Sequence, residues 1–416
     1  VFDLDHTLVF TDALQTHRDD PQCDYNGPAF REALQFAHCD YQLRLFLEAL
    51  SALPAEHRPR LAIVTRAKHA YAQAVLQQFL PKVTFDALRC FEDARDGGGV
   101  YKPHPRLVLE LMATFDVAAH ETVVVGDDLG DVEMAYRAGV TSILANFYWQ
   151  RRDTQSPKKN EFFYALDAVP DAVVDTAKEL RDALCRPAER LPFVEAFEQG
   201  VSPRVALRKP THVKLTVFGL VHAPGLVVHV LGRYFAGPRH EHDATVTPRR
   251  ATHGTTRNIL AKEHGDDRVP DTWVDACSLL LPRVLSLRTP TVITIIPSKR
   301  GRARRMECLL VRLSERFPAS SWVFDAQVFE FMEGAASQKH LPHAPERHEN
   351  IEQHLKLHET HVVQPRYRYI VLDDVLTTGA TLLGARHVLV GAGVRASNVQ
   401  GVVIARNVRC REGRRP

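Results

Sequence analysis

Tyr369-Ile-Val-Leu-Asp373-Asp374-Val-Leu-Thr377-Thr378-Gly379-Ala-Thr381 reads as an apolar strand that opens through two carboxylates into a hydroxyl-rich turn. The turn runs on into the helical pattern Thr381-Leu-Leu-Gly-Ala-Arg-His-Val-Leu389. Strand, turn and helix in that order form the unit of a parallel α/β sheet, which places ligands at the carboxyl ends of its strands. Backbone N–H groups at a helix start lack intrahelical partners and suit a phosphate. Asp373 and Asp374 are then expected to face ribose hydroxyls, directly or through magnesium, which prefers carboxylate and phosphate oxygens. The plainer reading of the same residues is a helix cap at a solvated turn, where Asp, Thr and Gly are favoured on their own account.

The other end of the chain repeats the theme. Phe2-Asp3-Leu4-Asp5-His6-Thr7-Leu8 puts two carboxylates two residues apart at the end of an apolar strand, so both lie on one side of it. Such crowding is costly without a cation. Val123-Val-Val-Gly126-Asp127-Asp128-Leu-Gly-Asp131 has the same order of strand, acidic turn and helix. Between them stand Leu61-Ala-Ile-Val-Thr65-Arg66 and Tyr101-Lys102-Pro103-His104-Pro105, and all four runs fit the mouth of one α/β sheet. Asp128 reads as a helix-capping carboxylate.

These four runs, in this order, resemble the four motifs of the haloacid dehalogenase superfamily of phosphotransferases. The resemblance implies that Asp3 is a nucleophile taking the phosphoryl group as an aspartyl phosphate and that Asp5 is the acid and base. Thr65 would donate a hydrogen bond to the phosphoryl group, and Lys102 would neutralise charge on Asp3 and the transferring oxygens. It also implies Mg2+ held by Asp3, the backbone carbonyl of Asp5, Asp127 and Asp131. An Asp at position 5 is the phosphatase form of that pattern, so the expected substrate is a phosphate monoester.

The run at 369–381 resembles the phosphoribosyl pyrophosphate (PRPP) signature of type I phosphoribosyltransferases along its whole length. That resemblance implies a PRPP site made by Asp373, Asp374, Thr377, Thr378, Gly379 and Thr381, and a nucleobase-like acceptor. Upstream, Thr291-Val-Ile-Thr-Ile-Ile-Pro297-Ser298-Lys299-Arg300-Gly301 is a buried-type strand ending in a loop with a hydroxyl, a glycine and cations. Such a loop suits pyrophosphate, which leaves as the ribose becomes oxocarbenium-like, so Ser298, Lys299 and Arg300 are candidates there. The segment Ser337 to Asn350 resembles the mobile loop of ComF-type transferases, which makes Gln338, Arg347 and Asn350 further loop candidates. Those relatives often carry a Cys-rich zinc element, and this chain has none.

Composition bounds the remaining options. At 416 residues, 45% hydrophobic and 25% charged, the chain is ordinary globular material with room for two or three domains. A net charge of +3 is too mild to argue for nucleic acid, and phosphate ligands explain the basic run Lys299–Arg305 as well as DNA would. The seven cysteines are odd in number and show no Cys-x-x-Cys spacing, which predicts reduced thiols and a cytoplasmic location. Leu215 to Leu231 is broken by His222, Pro224 and His229 and reads as two joined strands, not a membrane span. Because the sequence opens inside a strand at Val1, residues are expected upstream of it.

The predicted class is therefore α/β, with two Rossmann-like doubly wound parallel-sheet domains. A haloacid dehalogenase-type fold with a small cap is expected over residues 1–190, and a type I phosphoribosyltransferase fold over 205–416. Pro170 to Leu184 reads as the closing helix of the first domain, and 186–205 as the linker. Cap elements are expected in the interval from Asp5 to Thr65, which holds an acidic stretch and the helical run Tyr41 to Leu53. Three functional readings follow, the first two being a bifunctional phosphatase and transferase, or a phosphatase carrying a nucleotide-sensing domain without turnover. A nucleic-acid end phosphatase guided by the basic tail Arg409 to Arg415 is the third.

Overall fold

Two parallel sheets organise the chain. The computed structural model describes residues 1–148, 170–203, 212–215, 225–235, 247–261, 268–298, 303–333 and 344–408. In the amino-terminal part, β1 (Ala62–Val64), β2 (Ala87–Arg89), β3 (Val123–Gly126), β4 (Thr141–Ala145) and β5 (Ala172–Val174) are parallel to every neighbour they pair with. Phe2 bridges Ile63 on one side and Val125 on the other, so the order is β2-β1-Phe2-β3-β4-β5. The first acidic run therefore enters the sheet at its centre, and Asp3 emerges from it one residue later.

Period-2 alternation sends successive residues of these strands to opposite faces. Phe2, Ile63, Val125 and Ile143 pack with helices α3 (Tyr41–Ser51), α4 (His69–Phe79) and α8 (Ala177–Cys185), while α1 (Gln15–Asp19) and α2 (Pro28–Leu34) lie toward the same end. Ala62, Val64 and Val124 pack on the other face with α5 (Phe91–Asp96), α6 (Arg106–Phe115) and α7 (Leu129–Ala138). Helices cover both faces, which is the doubly wound arrangement.

Two expectations about this half change. Pro170 to Leu184 is not one helix: Ala172–Val174 is the edge strand β5, and helix begins only at Ala177, after Thr176 caps it by accepting from the Glu179 N–H. Pairing with β4 and the two β-branched valines Val173 and Val174 override the helical period read from the sequence. The run from Tyr41 is not cap but core, because Leu43 and Leu47 of α3 are fully buried against the sheet. What remains above the strand ends is the short pair α1 and α2.

The expected linker 186–205 is likewise structured. It holds a 3-10 turn at Pro187–Arg190 and helix α9 (Phe193–Glu198), and Phe193 and Val194 are buried in the core of the second sheet. That sheet comprises β6 (His212–Leu215), β7 (Leu226–Val230), β8 (Arg233–Phe235), β9 (Thr291–Ile295), β10 (Trp322–Asp325), β13 (Arg368–Leu376) and β14 (Val399–Val408). Its order is β10-β9-β13-β14-β7-β6, with β8 beside the far end of β14, and only the β6–β7 pairing is antiparallel.

β7 is the second of the two strands read from the interrupted apolar run; β6 pairs with it but overlaps that run only at Leu215, and residues 216–224 lie outside the described residues. Helices α10 (Thr247–Thr252), α11 (Gly254–Ala261), α12 (Asp271–Val284) and α13 (Arg305–Arg316) precede β10. The antiparallel pair β11 (Phe329–Phe331) and β12 (Leu355–Leu357) stands apart from the sheet, with helix α14 (Ala344–His354) leading into β12 and α15 (Ala380–Gly391) following β13. Ile370 and Leu372 face the core that contains α12, while Tyr369 and Val371 face the core that contains α15. No helix among the described residues is long and apolar enough to cross a membrane.

Candidate active site

Asp3, Asp127 and Asp131 converge at the mouth of the first sheet, with one carboxylate oxygen of each within 4.8 Å of the others. Each arrives from a different place in the chain. The Asp3 N–H donates to the Val125 carbonyl at 2.9 Å, which stations Asp3 beside the end of β3. Asp127 follows β3 directly, and Asp131 lies in the first turn of α7. Asp128 is the cap of that helix, accepting from the Asp131 N–H at 3.0 Å.

Gly126 is what lets Asp131 reach inward. A Cβ at position 126 would stand 2.1 Å from the Asp131 Cγ, so any side chain there would displace the carboxylate. Lys102 answers the crowding from the opposite wall, its Nζ 2.5 Å from an Asp3 oxygen and 2.7 Å from an Asp131 oxygen. Burial pushes the carboxyls of Asp3 and Asp131 up from their usual range, and the neighbouring carboxylates push further, against the pull of Lys102. Burial also works against charge on Lys102, but Asp131 and Asp3 overcome it and hold the ammonium above its ordinary value. Lys102 alone bonds to the trio, and three carboxylates this close are the oxygen donors that Mg2+ takes.

Asp5 stands apart from this trio. Its Oδ1 accepts from the Thr11 hydroxyl at 2.6 Å and from the Tyr71 hydroxyl at 2.7 Å, and Arg18 of α1 lies 3.6 Å from Oδ2. Thr65, at the end of β1, is buried, and its hydroxyl oxygen accepts from the Ala67 N–H at 3.1 Å. Asp3, Asp5, Lys102, Asp127 and Asp131, with Thr65, line one cavity of about 580 Å³. Arg18, Arg66, Lys68 and Phe91 form more of its wall.

The structure thus brings Asp3, Asp5, Thr65, Lys102, Asp127 and Asp131 around a single opening. Sequence reasoning missed Thr11, Tyr71 and Arg18. Six residues separate Thr11 from Asp5, and Tyr71 comes from another helix, so no local spacing marks either one.

In the second sheet the acidic pair sits differently from the expectation. β13 does not end before Asp373 but runs to Leu376, because β14 continues alongside it with Asp373 opposite Val403 and Leu376 opposite Arg406. On the other side the pairing with β9 stops at Leu372 opposite Ile295. Asp373 and Asp374 therefore lie just past the end of β9 while still inside β13.

Strand order reverses between β9 and β13, since β9 passes by way of α13 to β10 on its far side. Such a switch point is where open α/β sheets bind ligands. Gly379 takes the left-handed conformation at φ 79° to begin α15 and, having no side chain, offers no cap itself. The Thr378 hydroxyl accepts from the Ala380 N–H at 3.4 Å, and Thr377 is exposed while Thr381 is half-buried.

Three of the loop candidates have surroundings that the sequence did not indicate. The Ser298 hydroxyl lies 2.9 Å from Glu307 and 3.0 Å from the Ala303 carbonyl, so it serves to tie the loop to α13. Arg347 and Asn350 are buried on α14, which packs on α15, because the second half of the expected mobile loop forms a helix. Lys299, Arg300 and Gln338 lie outside the described residues. Arg305 of the basic run is no surface cation: it is buried with its guanidinium 5.1 Å from the Trp273 ring centre and its Nε donating to the Arg268 carbonyl.

Comparison with known proteins agrees with the first half. Residues 11–145 match the family model described as haloacid dehalogenase-like hydrolase. The amino-terminal part of the chain is a haloacid dehalogenase-like hydrolase domain with an α/β fold.

Among solved structures, one assigned as a phosphoglycolate phosphatase from Lactobacillus delbrueckii subsp. bulgaricus is 19% identical, with a TM-score of 0.28; the match covers 37% of this chain and 59% of that one. A second phosphoglycolate phosphatase assignment, from Haemophilus somnus, is 18% identical over 44% of this chain and 95% of that one, with a TM-score of 0.29. A 2-haloacid dehalogenase from Pseudomonas syringae pv. tomato is 19% identical over 44% and 96%, with a TM-score of 0.30. No curated protein matches this chain.

Proposed function

We propose that the amino-terminal unit, about residues 1–190, hydrolyses phosphate monoesters through an aspartyl phosphate, and that the carboxyl-terminal unit binds PRPP and transfers its phosphoribosyl group to a nucleobase-like acceptor. The observation that carries the first half is Lys102 set between Asp3 and Asp131, with Asp5 beside them on one cavity wall. An Asp3 oxygen attacks phosphorus as the bond to the leaving oxygen breaks, and a proton from Asp5 goes to that oxygen. Water then attacks the aspartyl phosphate, Asp5 takes its proton, and inorganic phosphate departs with Asp3 restored. Thr65 and Lys102 hold the phosphoryl oxygens throughout. Mg2+ held by Asp3, the Asp5 carbonyl, Asp127 and Asp131 would neutralise the carboxylates and the phosphoryl charge when bound.

For the second half the support is the switch point between β9 and β13, with Asp373 and Asp374 at its edge and the amino terminus of α15 following the same strand. Transfer breaks the ribose C1–O bond to pyrophosphate and forms a C1–N bond to the base, which gives up its proton. A product of this reaction keeps a 5′-phosphate, which the first unit could remove. Ser298 spent on Glu307, and Arg347 and Asn350 buried in α14, favour a second reading in which PRPP or a nucleotide is sensed without turnover.

The test is Asp3→Asn with magnesium, PRPP and a panel of bases. Phosphate release should fall by about a thousandfold or more while pyrophosphate release is kept. If both vanish in a folded protein, the two sites are not independent and this reading is wrong. PRPP binding without pyrophosphate release across the panel selects the sensing alternative.

A further inference from the structure

We propose that Tyr71 is a positioning residue for the acid step, fixing the Asp5 carboxylate so that Oδ2 alone faces the leaving group. This rests on Asp5 acting as the acid in the reading above. Tyr71 is fully buried on α4, and Thr11 is buried just before α1. Their hydroxyls approach the same oxygen, Asp5 Oδ1, at 2.7 and 2.6 Å.

Two donors on one carboxylate oxygen do two things. They fix the side-chain rotation about the carboxylate axis, and they occupy the acceptor directions of Oδ1 with hydrogen atoms, so a proton carried by Asp5 sits on Oδ2. Oδ2 is the oxygen 3.6 Å from Arg18, in the wall of the cavity that Asp5 and Arg18 share. Tyr71 is well placed to hold this arrangement, because its ring is anchored by Phe30 and Tyr25 at 5.8 and 5.7 Å between centroids. A bulky aromatic locked in the core is a rigid platform for one short hydrogen bond.

In the chemical step the Asp5 Oδ2–H bond breaks and its proton joins the departing alkoxide, while the Asp3–phosphorus bond forms and the ester P–O bond breaks. An aryl leaving group departs without that proton, whereas an alkyl leaving group needs it. Dependence on Tyr71 should therefore follow the leaving group.

The experiment compares kcat/KM, which covers only the steps through alcohol departure, for 4-nitrophenyl phosphate and the similarly sized alkyl ester 4-nitrophenethyl phosphate. In Tyr71→Phe the alkyl ester should lose about tenfold or more and the aryl ester less than about twofold. Thr11→Val should give the same pattern, and Thr11→Ser should restore it, which keeps the test open if Tyr71→Phe folds poorly. Equal losses on both esters, or none, with the wild-type protein active, overturn the role of Tyr71 and leave the phosphatase reading standing. A wild-type protein that cleaves neither ester overturns that reading and this inference with it.

Discussion

At the scale of single residues, the candidate site depends on close approaches that no pattern in the sequence announces. Gly126 closes β3, and a methyl group there would stand 2.1 Å from Asp131 Cγ and push the carboxylate off the cluster. Gly126→Ala is therefore expected to move Asp131 by about an ångström and to lower phosphatase kcat by about a hundredfold. Steady-state kinetics at saturating magnesium check this, and unchanged kcat would mean that Asp131 does not hold its place through Gly126. Asp3 and Asp127 were legible because each follows an apolar run at a sheet mouth, and Asp131 because it falls in the helix start after Asp127, a one-dimensional signal. Tyr71 and Thr11 were not, since their role exists only after α4 and the residues before α1 fold against Asp5. In the second half the expected hydroxyl of Ser298 was legible as a residue type, but its partner Glu307 on α13 decides what it does.

At the scale of elements, the strands leading to Thr65 and Asp127 were read at the right places, whereas the end of β13 and the edge strand β5 were not. β5 is three residues long, and a helical period across Pro170 to Leu184 concealed it until β4 supplied a partner. The segment expected as a mobile loop differs for a related reason: Arg347 and Asn350 are polar in sequence, but both are buried on α14, which packs on α15. The crossing of those two helices depends on Gly384, where a Cβ would stand 2.2 Å from Ile351 Cγ2. Gly384→Ala would gain about 1 kcal/mol from helix propensity, yet it must displace a branched side chain in a packed interface, which costs about 1–3 kcal/mol. A net loss of stability is expected in urea unfolding. In an Ile351→Ala background the same change should turn neutral or stabilising, and a double-mutant cycle showing no interaction between the two sites would refute the crossing as described. Because α15 begins at Gly379, this crossing also fixes the turn proposed to hold PRPP.

At the scale of the molecule, the halves meet through a buried guanidinium. Arg233 of β8 is 2% exposed; it reaches Asp171 at 2.8 Å and the Tyr136 hydroxyl of α7 at 3.3 Å, and its Nε donates to Glu195 of α9 at 2.8 Å. Asp171 in turn accepts from the Ser142 N–H and hydroxyl, so the junction is anchored in the first sheet. Burial alone would raise the Glu195 carboxyl, but Arg233 and His253 outweigh it and hold it at about 2, against an ordinary value of 4.5. A carboxyl depressed in the folded state contributes stability above its unfolded value, and that contribution drains away as pH falls from about 4.5 toward about 2. Replacing Arg233 by Met would leave Asp171 and Glu195 buried without their cation, at a cost of about 3–5 kcal/mol near neutral pH. The loss should shrink on acidification through the same window, because protonating Glu195 removes the charge that Arg233 was compensating. Urea denaturation at neutral pH and again near pH 3 measures both values. If this junction is what makes the halves unfold together, one cooperative transition in the wild-type protein becomes two in Arg233→Met. A single unshifted transition would mean that the two sheets are held together elsewhere.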